Sequence, residues 1–443
     1  MTFYSGIDFG TSGARLAVID ANSQLLTEVS CRFGEVTDWI ATWQGALFDL
    51  INRVPEELRR EVGAIAINGT SSTVLLCDAG GNPVTTPLLY NDTSGTSELE
   101  SLRQFFSLER NNHAPCKDTV LSATSSLVKL LWWKRQPFFS QARYLLHQAD
   151  WLGFLLHGQL GISDYHNSLK LGYDVIRLCY PEWMAELEIL PLLPEVWEPG
   201  RAIAPVQPSI ANQFGLPSTC LVCTGTTDSI AAFLASGATS PGEAVTSLGS
   251  TLVLKLLSTT FVEDGHYGIY SHRLGDLWLV GGASNTGGAV LQQFFTPAEL
   301  DEFSAQISPE TESPFDYYPL TKPGERFPIN DAGLAPRLEP RPCDRVKFLH
   351  GLLESMARIE AKGYRLLQDL GASPLLRVYT AGGGAKNQAW TAIRSRQSGV
   401  PVSPSPHTEA AYGTALLAQK GLSLFKPSAP LPANQEPDLA APG

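Results

Sequence analysis

The sequence is poor in positive charge: 32 lysines and arginines face 44 aspartates and glutamates, giving a net charge of −12. Nucleic acids and anionic membrane surfaces select an excess of Lys and Arg, so this balance argues against both as partners. A bound nucleotide would have to be held by backbone amides, Mg²⁺ and a few local cations. Long apolar runs are missing as well, with no stretch of about 18 residues to span a bilayer. The first residues carry neither the basic region nor the apolar core of a leader, because "FYSGI" already has the pattern of a strand. The expectation is therefore a cytoplasmic protein without signal or transit peptide. Cysteine is scarce and scattered, seven in all. The single C-x-x-C pair, Cys220 and Cys223, lies in an apolar run and lacks the second pair that zinc would need. Two phosphate signatures are also absent, the lysine-bearing G-x-x-x-x-G-K-[ST] loop and the G-x-G-x-x-G dinucleotide turn. Any phosphate site must be of another kind.

What is present divides into two halves. A chain of 443 residues exceeds what one hydrophobic core usually supports, so two domains are expected. The first fifty residues alternate as strand, turn, strand, turn, strand: "YSGIDFG", "ARLAVID" and "LLTEVSC". Helical spacing follows over 39–58, then the near-continuous apolar run "VGAIAIN" of a central buried strand, and the strand and turn "TVLLCDAGGNPV". Helices are expected from 97 to about 157, a strand at "TCLVCTG", and a small-residue helix at "DSIAAFLASGA". A second strand, turn, strand then begins, "EAVTSLG" and "TLVLKLLS", so both halves place a Gly with hydroxyl residues at the tip of two β-rich runs. The Pro-rich stretch 307–342 reads as a functional loop or a cover. A long amphipathic helix over 346–370, the strand "LLRVYTAGGG", a final helix "TEAAYGTALLAQ" and a disordered tail over 427–443 complete the chain.

Three stretches could carry chemistry. In "DFGTSGAR", Gly10 and Gly13 bracket Thr11 and Ser12, so the backbone can turn with its N–H groups outward, as a phosphate oxyanion requires. Asp8 precedes this turn in an apolar strand, where a carboxylate either caps the turn or faces a polar cleft or a cation. In "CTGTTDSIAAFL", Asp228 is either a helix cap or a general base accepting a hydroxyl proton during phosphoryl transfer. In "TAGGGAKNQAW", three glycines between a strand and a helix form either a tight turn or a place for a planar ring and ribose, with Asn387 and Trp390 one turn on.

Taken in order, these stretches resemble the FGGY carbohydrate kinases, sugar kinases of the actin and Hsp70 superfold, over nearly the whole chain. "GIDFGTSGAR" looks like the family's first phosphate motif and "SLGST" like its second, while "AGGGAKNQAW" looks like its adenosine motif. "AINGTSSTVLLCDAGGNPVTTPLLYND" is similar to the sugar-side segment, with Tyr90-Asn91-Asp92 where Trp-Asn-Asp is usual. "TGTTDSIAA" matches the segment of the catalytic aspartate, and "SLVKLLWWK" is an imperfect match to the first family signature.

The resemblance implies an α/β fold of two ribonuclease H-like (actin-like ATPase) domains flanking a cleft. It places the sugar-binding domain at 1–235, joined by a returning helix at about 409–426, and the nucleotide-binding domain at 236–408. It implies Asp228 as catalytic base and Asp8 beside the transferring phosphoryl group and Mg²⁺, directly or through water. Thr11, Ser12 and Arg15 would hold ATP from one lobe, and Gly249, Ser250 and Thr251 from the other. Gly383, Gly384, Asn387 and Trp390 would hold the adenosine.

Departures from the family pattern bear on the substrate. Xylulokinases show Gln-Met-His-Gly where this chain has Thr70-Ser71-Ser72-Thr73, so Ser72 replaces a histidine beside the sugar. Ser94 stands where an arginine is frequent, and the chain is shorter than most relatives. This compact pattern resembles the D-ribulose kinases of cyanobacteria and plants, which implies transfer of the ATP γ-phosphate to O5 of D-ribulose. Ser72, Asp8 and Asp228 would contact the sugar, and the enzyme would be a monomer or homodimer. Kinases of D-xylulose or of other ketoses and polyols remain alternatives, as do a nucleotide-driven switch and a sugar-sensing pseudokinase.

Overall fold

The computed structural model of the protein describes residues 2–108, 114, 116–423 and 425. Strands β1 (Phe3–Phe9), β2 (Gly13–Ile19) and β3 (Leu25–Arg32) form an antiparallel meander, and β4 (Val62–Gly69) pairs with β1 in parallel. Ile7, Phe9, Ile65 and Ile67 are buried, as expected of strands covered on both faces. Two small pairs branch away: β5 (Val74–Cys77) with β6 (Tyr144–His147), and β7 (Ile162–Asp164) with β8 (Glu195–Trp197). Strands β9 (Ala202–Pro205), β10 (Leu221–Cys223) and β11 (Thr226–Thr227) complete the first sheet, in the order β3-β2-β1-β4-β10-β9 with β11 also on β4.

The second sheet contains β12 (Glu243–Leu248), β13 (Leu252–Ser258), β14 (Tyr270–Leu274), β15 (Leu277–Ser284), β16 (Arg377–Ala381) and β17 (Val402–Pro404). Its order is β14-β15-β13-β12-β16-β17. The path β15-β13-β12-β16-β17 repeats β3-β2-β1-β4-β10: three antiparallel strands, then two more parallel to the first of the meander. The short internal likeness of the two hairpins is thus the visible part of a repeated half-fold, an N-lobe and a C-lobe.

Local differences from the sequence reading have local causes. The helix expected over 39–58 stops at Arg53 (Trp39–Arg53), because Pro55 cannot continue it, and a single turn Glu56–Arg59 follows. Between 97 and 157 the helices are interrupted by β6, whose apolar "YLLH" runs straight into the helix Gln148–His157 and so hides its edge. The strand expected at "TCLVCTG" breaks after Cys223, where Gly225 crosses β4 so closely that a Cβ there would lie 2.0 Å from the Ile67 carbonyl.

The helix Ala410–Lys420 lies across β1 and β4. Gly6 makes this approach possible, since a Cβ on it would sit 2.1 Å from the Ala415 nitrogen. In the C-lobe, the helix Arg345–Asp369 buries Leu349, Leu352, Leu353 and Met356 against the second sheet. The Pro-rich stretch 307–342 covers this core: Phe327 inserts between Gly282 and Gly363, and Glu325 accepts hydrogen bonds from Ser284 Oγ (2.6 Å), the Asn285 amide (2.7 Å) and Tyr318 OH (3.1 Å). The tail expected to be disordered, 427–443, lies outside the described residues.

Candidate active site

The site begins as a row across the first sheet. Strand register aligns Arg15 with Asp8, Asp8 with Asn68 and Asn68 with Thr226, so four polar side chains from β2, β1, β4 and β11 share one face. They sit at the C-terminal ends of the parallel strands, where open α/β sheets place their ligands. The partners around the row fix it from behind. Asn68 Nδ2 donates to Thr414 Oγ1 at 2.6 Å, and the Thr226 hydroxyl pairs with His166 Nδ1 at 2.8 Å. His166 Nε2 lies 2.6 Å from the Arg273 carbonyl of β14 and must donate to it, so Nδ1 accepts from Thr226. Burial drives the His166 pKa down to about 3, which keeps this link between the lobes neutral.

Asp8 is half-buried, and its Oδ1 has no hydrogen-bond partner. Desolvation, and next the negative field of Asp228, raise its pKa to about 6 against the opposing pull of Arg15 and the Asn68 amide. Asp228 is not the cap of its helix, Asp228–Ala235, as one reading of the sequence allowed; Thr227 holds that position and Asp228 begins the helix itself. One carboxylate oxygen of Asp228 accepts from the Ser229 amide at 2.7 Å. Burial raises the pKa of Asp228, and the Ser229 hydrogen bond, Lys255 and Lys170 pull it back. Two carboxylates thus share a cleft with ammonium groups nearby, an arrangement suited to accepting a proton and to meeting a cation.

Thr11 and Ser12 are exposed at the β1–β2 tip, closed by a Gly10 N–H to Gly13 carbonyl bond of 3.0 Å. Gly13 has a purpose beyond the turn. Neither Gly10 nor Gly13 adopts positive φ; a Cβ on Gly13 would meet the Cys31 carbonyl of β3 at 2.4 Å, so this glycine admits the third strand. Arg15 is engaged by two carboxylates, Glu409 and, at 3.5 Å, Glu28.

The second tip carries Gly249, Ser250 and Thr251 and rests on the following turn, with the Gly288 amide donating to the Gly249 carbonyl (2.8 Å) and Ala289 to that of Ser250 (3.1 Å). Gly249, Ser250, Gly383, Gly384, Asn387 and Trp390 line one cavity of about 340 Å³, together with Lys386 and Asp301. Thr251 is not part of its wall. Gly384 is required there, because a Cβ would press on Leu248 and Trp390 at 2.8 Å. Asn387 and Trp390, expected to hold the adenosine, also carry structural roles. Asn387 caps the helix Gln388–Ser398 through the Trp390 amide and donates to Ser304 Oγ at 2.8 Å. Trp390 is a core residue that also lines the cavity.

On the other flank, Ser72 is buried with positive φ (64°), and its hydroxyl has no partner. Its carbonyl accepts from Lys129 Nζ at 2.7 Å, and the same ammonium donates to the Leu89 carbonyl at 2.5 Å. Burial lowers the Lys129 pKa to about 8. Asn68, Lys129, His166, Lys170 and Lys255 escaped the sequence reading. The two lysines within apolar runs, "SLVKLL" and "TLVLKLL", were the available signal: Lys129 is fully buried and Lys255 half-buried, and a Lys is seldom placed so without a task.

Comparison with known proteins agrees with this geometry. Residues 3–235 match the N-terminal domain and residues 244–422 the C-terminal domain of the FGGY family of carbohydrate kinases. The chain belongs to that family and is a carbohydrate kinase. It is 23% identical over 457 residues to the xylulose kinase of Bacillus subtilis, covering 96% of this chain and 89% of that one. It is also 23% identical over 474 residues to the autoinducer-2 kinase of Yersinia enterocolitica (96% and 87%). Among solved structures, a xylulose kinase from Rhodospirillum rubrum superposes with a TM-score of 0.80 at 21% identity (94% and 89% covered). Plasmodium falciparum glycerol kinase with ADP superposes at 0.81 and 18% (96% and 90%). These neighbours share the two-domain, actin-like ATPase fold.

Proposed function

We propose that this kinase transfers the γ-phosphate of ATP to the terminal hydroxyl of an open-chain ketopentose, D-ribulose, giving D-ribulose 5-phosphate. Asp228 takes the hydroxyl proton as the new O–P bond forms and the bond from the γ-phosphorus to the bridging oxygen breaks, releasing ADP. The observation that carries the reading is the row of Asp8, Asn68 and Thr226 across the first sheet, with Asp228 at the start of the next helix close enough to act on Asp8; the C-lobe cavity lined by Gly249, Ser250, Gly383 and Gly384 is the one this reading assigns to the nucleotide. Phosphoryl transfer requires positioning and charge neutralisation more than covalent help; this set supplies positioning, and neutralisation falls to nearby cations and to the ion that Asp8 would hold.

Asp8 fits a magnesium ion by its chemistry. Its buried Oδ1 has no partner, and among the described residues no cluster of three His, Cys, Asp or Glu competes for the role. Mg²⁺ is commonly held by one or two carboxylates, with substrate phosphates and water completing the shell. When bound, the ion neutralises phosphate charge. The protein's own contribution is to orient the sugar hydroxyl at Asp228, to hold the phosphates at the two tips and to exclude water from the cleft.

The pentulose class is supported by the relatives named xylulose kinase. The choice of ribulose rests on Ser72, a small buried hydroxyl without a partner where xylulokinases carry histidine. D-Xylulose is the second reading, favoured by the same relatives' names. ATP consumption against D-ribulose, L-ribulose, D-xylulose, glycerol and ribitol, with wild type and Asp228→Ala, tests both levels. Highest kcat/KM on D-ribulose, lost in the variant, is expected. Highest kcat/KM on D-xylulose overturns the substrate, and no sugar-stimulated turnover overturns the kinase reading.

A further inference from the structure

Lys255 is a lone cation in the apolar strand β13 and belongs to the C-lobe sheet. Its side chain crosses to the helix that begins with Asp228, and its Nζ donates to the Ser229 carbonyl at 2.6 Å. This is its one hydrogen bond among the described residues. Lys255 and His272 line a cavity of about 210 Å³ with Tyr267, Tyr270, Gly281 and Arg326. The charged and titratable groups that face Asp228 and Lys255 are Asp8 from β1, Lys170 from the turn Ser168–Leu171, and His272 from β14 backed by His166. Both imidazoles are held neutral by burial, which leaves Lys255 and Lys170 as the cations that act on Asp228.

Folding alone does not account for a lysine here. A half-buried ammonium without a carboxylate hydrogen bonded to it adds little to stability, and desolvation lowers its pKa to about 8. The Ser229 carbonyl does not depend on it, because the second residue of a helix already has an amide donor one turn ahead. Ammonium and carboxylate nonetheless support each other's charge, at the point where β13 of the C-lobe meets the first turn of the Asp228 helix.

We propose that Lys255 is a positioning residue of the transfer step, a C-lobe cation that pins the first turn of the Asp228 helix and sets a positive charge beside its carboxylate. Asp228 then stays aimed at the sugar as the anionic phosphates are drawn toward the Asp8 and Asp228 pair. The inference rests on Asp228 being the base.

The test compares wild type, Lys255→Met, Lys255→Arg, Asp228→Asn and the Lys255→Met/Asp228→Asn double variant by steady-state kinetics and thermal unfolding. In Lys255→Met, kcat should fall about 10- to 100-fold, with both KM values within about twofold. Its Tm should be unchanged or higher, as expected when a half-buried, unpaired charge is removed from a functional position. Lys255→Arg should recover most of kcat, and Lys255→Met should have no further effect once Asp228 is Asn. Unchanged kcat in Lys255→Met, loss of kcat in step with a lowered Tm, or additive loss in the double variant overturns the proposal. Retained turnover in Asp228→Asn overturns instead the reading on which it rests.

Discussion

Replacing Asp8 by Asn keeps the shape of the side chain and removes the charge that the fold resists. In the folded protein this carboxyl is raised from 3.8 to about 6, chiefly by desolvation and then by Asp228. A carboxyl raised on folding binds its proton more tightly in the native state, so stability is lost as pH rises from 3.8 through 6. At about 1.36 kcal/mol per pKa unit, the full penalty is about 3 kcal/mol above neutrality, about half that at pH 5 and about 0.5 kcal/mol at pH 4. Because Asp8 is partly open to the cleft, these values are upper bounds. Urea unfolding of wild type and Asp8→Asn in EDTA should therefore show a variant that is catalytically dead yet more stable at pH 7.5, with the gap closing toward pH 4. Added Mg²⁺ and ATP should narrow the gap at pH 7.5 by stabilising only the wild-type carboxylate. A variant less stable than wild type at pH 7.5, or a gap independent of pH, would refute the desolvated-carboxylate account.

Three further outcomes follow from other parts of the site. Asp228→Asn should lower kcat by about 10²- to 10⁴-fold while ATP affinity, measured by nucleotide titration, stays within about twofold. Lys129→Met, which removes the donor shared by the Ser72 and Leu89 carbonyls, should raise the KM for sugar about tenfold and leave the KM for ATP unchanged in two-substrate kinetics. Gly384→Ala, whose Cβ would press on Leu248 and Trp390, should show the opposite pattern, a raised KM for ATP with sugar affinity retained.

The fold was legible where its signals are local. The hairpins 3–19 and 243–258, the buried strand 62–69 and the long helix 345–369 announce themselves by alternation, Gly turns and apolar spacing. What escaped reading depends on the crossing of distant segments. Gly13, read as a turn glycine, also admits β3; Asn387, read as a ligand to adenosine, lines the C-lobe cavity and also caps a helix. The row from Arg15 to Thr226 exists only once four strands are in register, and no spacing in the chain encodes it. Lys129 and Lys255 look from the sequence like interruptions in apolar runs, and their acceptors lie 57 and 26 residues away. Motifs name the chemistry, but the supporting shell is written in pairings that one strand or helix does not contain.

The helix Ala410–Lys420 across Gly6 has a consequence for synthesis. The first sheet ends by residue 227, but the face of β1 and β4 that this helix covers stays open until about 190 further residues have been made. At roughly 5–20 residues per second that interval is about 10 to 40 s, long compared with the collapse of a chain. During it, a nascent N-lobe displays small apolar residues, Ala64 and Ala66 among them, that the native protein hides. The finished C-lobe must therefore be produced while its partner is still unsealed.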